Sequence, residues 1–256
     1  MCGQIDGMRY QLGTEEDLAK TQKLVEEEGR RAVTVVGDVR DQAALDSAVA
    51  LGLQTFGHID GAIANAGVWD LSPAAWEISE ELYTVIVDTV MGGVFRTIKA
   101  VSPHLVERRT GAIVVVASVG GLEPAPGFTA YVAAKHGALG LMKNAALELA
   151  PHNVRCNAVC PGAVDTKIWD NPMGYGLFVP PGAQASRETA LDAVYHYGAL
   201  AGRSALPPHA SSNAAVFLVS DLAEHITGVA LPVDAGHLLL PGFNHAPVKT
   251  GTEADR

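Results

Sequence analysis

The chain's 256 residues are 48% hydrophobic and 18% charged, and 28 acidic against 18 basic side chains leave a formal net charge of −10. This apolar content excludes intrinsic disorder, and 27 Gly and 14 Pro without a short period exclude a collagen-like chain. The longest apolar run, Ala112 to Ala117, is far below the roughly 18 residues that span a bilayer, and no basic cluster exceeds Arg30-Arg31 or Arg108-Arg109, so a small-molecule partner is expected rather than membrane or nucleic acid.

Met1-Cys2-Gly3-Gln4-Ile5-Asp6 lacks the basic and apolar regions of a secretory signal, and Cys2, Cys156 and Cys160 are too few for a disulfide framework. The expected setting is soluble, reducing and cytoplasmic. In chain order, Thr14-Glu15-Glu16-Asp17 predicts a helix start, with Leu18, Leu24 and Val25 as its apolar stripe and Gly29 as its end. Ala32 to Val36 reads as a buried strand, and Asp41 caps a helix whose Ala44, Leu45, Ala48, Val49, Leu53 and Phe56 recur at helical spacing. Ile59 to Ala64 reads as a strand, Ser79 to about Val101 as a long helix, Gly111 to Ser118 as a strand and Gly127 to Leu149 as a helix. Val154 to Cys160, Pro207 to Val219 and Val229 to Val233 follow as strand, helix and strand.

Short apolar strands alternating with amphipathic helices require a parallel sheet covered on both faces, so the predicted fold class is α/β, doubly wound. One such domain is expected over residues 1–240. Within it, the Pro/Gly-rich stretch from Thr166 to Leu206 is too long for an ordinary connection and reads as a substrate-covering lobe. Residues 241–256 read as a tail.

Only Tyr131, of six tyrosines, has a lysine four residues on, and Tyr131 and Lys135 share one helix face. Ser118 ends the preceding strand, 13 residues earlier, at the carboxyl edge where parallel sheets form their crevice. A phenol of ordinary pKa about 10 is a poor base, but a neighbouring ammonium lowers that value. The expected chemistry is therefore proton transfer to a carbonyl or alcohol oxygen, with Tyr131 as acid/base and Ser118 holding the substrate. Asn65-Ala66-Gly67 ends another strand on the same edge. His152, Cys156 and Cys160 could suggest a metal site, but two cysteines at even spacing on a strand read as buried structural thiols, and no metal is expected.

Asp38-Val39, Asn65-Ala66-Gly67, Ser118, Tyr131-Val132-Ala133-Ala134-Lys135, Pro161-Gly162-Ala163-Val164-Asp165-Thr166 and Ile226-Thr227-Gly228 resemble the short-chain dehydrogenase/reductase family in order and spacing, over about residues 31–240. The segment from Tyr10-Gln11-Leu12 to Arg31 and the ending Leu231 to Gly236 look like the mycofactocin-associated, carveol dehydrogenase-like branch. The resemblance implies NAD as cofactor, with NADP as the alternative, and a catalytic Ser118, Tyr131 and Lys135, the lysine also bonding the nicotinamide ribose. It implies that Asp38 and Val39 flank the adenine, that Asn65, Ala66 and Gly67 line the ribose, and that Pro161, Gly162, Val164 and Thr166 hold the nicotinamide end. The substrate implied is a small apolar alcohol or ketone beneath Trp169, Met173, Tyr175, Leu177 and Phe178, and the implied assembly is a homotetramer or dimer.

Two departures qualify the resemblance. Val90 occupies a position where the family often has an Asn that organises a proton-relay water. More seriously, the family's opening strand, G-x-x-x-G-x-G turn, helix and second strand are absent, and with them the backbone cradle for a pyrophosphate. In a 3-2-1-4-5-6 order those strands are central, so their loss separates Ala32–Val36 from its neighbours and leaves unpaired apolar edges. The expectation is weak cofactor binding by these residues. Either Met1 falls late in a longer product, or the chain is a catalytically silent remnant acting through subunit association by the helices at 79–101 and 127–149.

Overall fold

The computed structural model describes residues 5, 8–72, 74–179 and 182–249. Cys2, the Pro180-Pro181 step of the lobe and residues 250–256 of the expected tail lie outside them.

Four strands, β1 (Gly61–Ala64), β2 (Gly111–Val116), β3 (Val154–Pro161) and β4 (Ala230–Val233), form one sheet in the order β1-β2-β3-β4. All three pairings are parallel, with Ala64 opposite Val115, Val116 opposite Val159 and Cys160 opposite Pro232. This register brings Asn65, Ser118, Gly162 and Asp234 to one edge of the sheet. Alternation along the strands serves two buried faces: Ile113, Val115, Cys156 and Ala158 pack with Leu105, Ala138 and Met142, whereas Val114 and Val159 pack with Ala215 and Leu218. The layers are α4 (Gly93–Arg108) and α5 (Thr129–Leu149) on one face and α8 (Pro208–Val219) on the other. The α/β parallel architecture is thus as the sequence predicts. Thr227 and Asn157 knit β3 to the turn before β4: the Cys156 amide donates to Thr227 Oγ1 at 3.1 Å, and Asn157 bonds both the Ile226 carbonyl and the Val229 amide.

The earlier helices also follow local chemistry. Helix α1 (Glu15–Glu27) opens on a Thr14–Asp17 capping box, and α2 (Gln42–Phe56) runs from an Asp41 cap to Gly57, which takes φ +85°. The long helix behind Ser79 is interrupted: α3 (Glu80–Val87) passes into a π turn over Asp88–Gly92 before α4, which continues to Arg108 rather than stopping near Val101.

One predicted strand does not form. Residues 32–36 join no ladder among the described residues, Thr34 reaching only the Gln22 side chain, and Val36 is 54% exposed. A strand exists only through its ladder, and no described strand lies alongside this segment. Among the described residues β1 pairs along one side only, with Ile63 50% exposed.

The lobe is more ordered than its composition suggests. It contains α6 (Pro172–Gly176), capped by Asn171, and α7 (Arg187–Val194), capped by Ser186, around a small core of Trp169, Ala190 and Val194. Arg187 clamps it by ion pairs to Asp165 at 2.6 Å and Asp170 at 2.8 Å. The segment read as a tail is tied down as far as it is described: the Asn244 amide donates to the His196 carbonyl, Gly202 bonds Val248, and Lys249 pairs with Asp192.

Candidate active site

A cleft of about 1080 Å³ opens at the carboxyl edge of the sheet. Strand ends supply its floor through Asn65-Ala66-Gly67, Val116 to Ser118 and Pro161 to Val164, α5 supplies Tyr131 and Lys135, and the lobe supplies Trp169, Leu177 and Phe178.

Ser118 sits where β2 gives way to a short 3-10 turn, and its Oγ accepts the Gly120 amide at 3.1 Å. That acceptance leaves the Ser118 hydroxyl proton free, and Ser118 acts on the neighbouring Tyr131 phenol to lower its pKa. Gly120 lies against both: a Cβ there would stand 3.4 Å from the Tyr131 ring and 3.6 Å from Ser118 Oγ. One turn along α5, Lys135 is 5% exposed, and its Nζ donates to the Val116 carbonyl at 2.8 Å. The ammonium stands 5.5 Å from the Tyr131 ring centroid.

The electrostatics differ from the sequence expectation. Burial pushes the Tyr131 phenol above its ordinary value, against the downward pull of the Ser118 bond, and Lys135 is not what sets it. The physical reason is that Nζ faces the ring and the Val116 carbonyl rather than the phenolic oxygen. Burial in turn lowers Lys135 from 10.5 to about 8.

Of the residues expected to hold a cofactor, Asn65, Ala66, Gly67, Tyr131, Lys135, Pro161, Gly162, Val164 and Thr166 share the cleft. Gly67 permits close approach, since a Cβ there would meet Lys135 Nζ and Val90 Cγ2, each at 3.8 Å. Asp38 and Val39 do not line it: Arg40 grips the Asp38 carboxylate at 2.6 Å and lowers its pKa, and Val39 packs on Gly93. These donors and small residues suit a nicotinamide ribose. No glycine-rich turn at a helix N-terminus exists among the described residues to receive a pyrophosphate. Val90 is fully buried beside Gly67 within the π turn, so an apolar group stands where a relay amide would be.

Of the lobe residues singled out, Trp169, Leu177 and Phe178 face the cleft, Met173 packs into the neighbouring core, and Tyr175 hydrogen-bonds Asp170. Sequence reasoning missed an aromatic ladder, Tyr10, Trp69, Phe128 and Tyr131, with successive centroids 6.0, 5.5 and 6.0 Å apart. It also missed Glu123, Tyr197 and His237 in the cleft wall. Cys156 and Cys160 are buried thiols, raised by burial to about 12 and about 11, and no cluster suited to a metal occurs among the described residues. No helix among them is long and apolar enough to cross a membrane.

Residues 10–237 match a family model described as enoyl-(acyl carrier protein) reductase. The chain belongs to the short-chain dehydrogenase/reductase family. As a short-chain dehydrogenase/reductase it is an oxidoreductase, and it is 39% identical over 234 residues to (-)-trans-carveol dehydrogenase of Rhodococcus erythropolis, covering 90% of this chain and 83% of that one. It is 34% identical to 3beta-hydroxysteroid dehydrogenase 1 of Eggerthella lenta, covering 90% and 82% respectively. Carveol dehydrogenase from Mycobacterium avium, solved in complex with NAD, superposes with a TM-score of 0.89 at 39% identity, covering 93% of this chain and 86% of that one.

Proposed function

We propose that this short-chain dehydrogenase/reductase interconverts a secondary alcohol and a ketone with NAD, through Ser118, Tyr131 and Lys135. The observation that carries the reading is the convergence of Ser118, Tyr131 and a buried Lys135 in a cleft floored by residues 65–67 and 161–166. NAD is favoured because a similar solved structure holds it.

Asn65, Ala66, Gly67, Lys135, Pro161, Gly162, Val164 and Thr166 would hold the nicotinamide riboside, which when bound supplies or accepts a hydride. The chain's own contribution is to the substrate oxygen. Gly120 orients Ser118 Oγ, and Ser118 and Tyr131 together bind that oxygen. In the reductive direction Tyr131 Oη delivers its proton there, and in the oxidative direction it receives one. Lys135, titrating near 8, holds a cation beneath the phenol ring at neutral pH, where it would also bond the nicotinamide ribose. The aromatic lining from Trp69, Phe128, Trp169 and Phe178 suits an apolar alcohol, in keeping with the relatives named for carveol and hydroxysteroids.

The test is turnover of a panel of terpenoid and aliphatic secondary alcohols at millimolar NAD, with Tyr131→Phe alongside. Wild-type activity lost in the variant supports the assignment, and activity retained by Tyr131→Phe removes Tyr131 from its role.

Self-association accompanies this reading. Tyr83 and Phe95, on α3 and α4, and Leu147 on α5 are large apolar side chains left exposed on the helices that the family resemblance implicates in assembly.

A further inference from the structure

Three segments remote in sequence meet in the wall of the same cleft: Glu123, beyond the turn that follows Ser118; Tyr197, just after α7; and His237, just after β4. His237 stacks on the Tyr197 ring, with centroids 3.6 Å apart. Its Nδ1 lies 3.0 Å from the Tyr197 carbonyl and its Nε2 2.5 Å from Glu123 Oε1. A carbonyl can only accept, so Nδ1 donates to Tyr197, while Nε2 stands against Glu123 Oε1. The histidine is thereby committed on both sides, and it fixes Glu123 and Tyr197 in place.

What this leaves over is a donor and an acceptor. The second Glu123 carboxylate oxygen and the Tyr197 hydroxyl have no hydrogen-bond partner among the described residues, although both side chains border the cleft. The Tyr197 phenol is raised by burial and by the Glu123 charge, so it keeps its proton. Phe178 packs edge-on against its ring at 5.3 Å, which limits its movement.

We propose that Glu123, Tyr197 and His237 form a second hydrogen-bonding subsite that selects substrates carrying, besides the reacting carbonyl or carbinol, a further uncharged hydroxyl group. The proposal rests on Ser118 and Tyr131 as the site of the reacting oxygen. A hydroxyl is the group that meets both requirements, accepting from Tyr197 and donating to Glu123. A second ketone would accept only and leave the carboxylate unpaired, and a carboxylate or phosphate would face the Glu123 charge. Sites built to hydrogen-bond a hydroxyl discriminate against analogues lacking one, because the partly buried partners are left unsatisfied.

Trp69 and Trp169 both border the cleft, so intrinsic fluorescence reads binding without turnover. Titrating 4-hydroxycyclohexanone and 4-methylcyclohexanone into the purified chain should give an affinity about tenfold or more higher for the hydroxyketone. Tyr197→Phe, which keeps the ring stack, and Glu123→Gln should each erase most of that difference. Equal affinities in the wild type, a preference that survives in both variants, or no binding of either ketone would overturn the proposal. Ser118→Ala separates the two readings: it should weaken both ketones alike if Ser118 holds the reacting oxygen, and unchanged affinities would count against that assignment whatever the Tyr197 variant does.

Discussion

The Lys135 ammonium donates to the Val116 carbonyl at 2.8 Å inside the protein, with no carboxylate paired to it. A buried, unpaired cation costs folding free energy, and the role proposed for Lys135 is the use to which that cost is put.

Replacing it should therefore stabilise the fold. The lowering from 10.5 to about 8 corresponds to about 3 kcal/mol, from which roughly 1 kcal/mol is lost by leaving the Val116 carbonyl unpaired. Lys135→Met is expected to gain about 2 kcal/mol at pH 7 while losing turnover. Between pH 8 and 10.5 the unfolded chain holds a proton that the folded chain has released, so wild-type stability rises with pH and the gap closes. Urea denaturation of both proteins across that range checks the sign. A variant no more stable than wild type at pH 7 would refute it.

Gly174 is the point at which the lobe closes on itself. A Cβ there would stand 2.0 Å from the Trp169 carbonyl oxygen, so Gly174→Ala must move one backbone segment off the other, at about 1–3 kcal/mol of local overpacking strain. Because Trp169 packs in the lobe's own small core, the expected effect is a several-fold higher KM, with kcat reduced less. Steady-state kinetics resolve the two, and an unchanged KM would mean that the lobe does not touch substrate.

Cofactor affinity should report the missing cradle. The cleft offers partners for a nicotinamide ribose but, among the described residues, no glycine-rich turn at a helix N-terminus for a pyrophosphate, so residues 1–256 should bind NADH more weakly than micromolar. Titration by NADH fluorescence decides this, and a micromolar Kd would show that other groups have taken over the phosphates.

Phe95 and Leu147 test assembly. Leu147 is 76% exposed, and charge placed on both helices should dissociate an oligomer built there without unfolding its subunits. Phe95→Glu with Leu147→Glu is expected to yield monomers by light scattering. An unchanged mass would assign assembly to another face.

The meeting of Ser118, Tyr131 and Lys135 in one cleft was legible because it is locally encoded. Tyr131 and Lys135 are one helical turn apart, and a strand end supplies Ser118, so spacing alone brings the three together. Asn65 and Pro161 follow from the same rule for strand ends. The segment at 32–36 misled because a Val-rich run records a tendency to pair, whereas pairing needs a neighbour. Helices α6 and α7 span 5 and 8 residues, too short for an apolar period to stand out, and only their Asn171 and Ser186 caps announced them. Glu123, Tyr197 and His237 were invisible for a different reason. They meet through irregular turns, His237 and Glu123 being 114 positions apart, and no periodicity encodes such a meeting.

The bare side of β1 implies a gradient across the sheet. Among the described residues, strand β3 has a partner on each flank and helices on both faces, β2 is nearly as enclosed, and β1 is held along one side only. Local opening takes the least work where a strand has the fewest neighbours. Amide protons of residues 61–64 should thus exchange with deuterium well before those of 113–115 and 156–159, the loosening beginning at the strand that carries Asn65 and reaching the Ser118 strand only as the whole sheet gives way.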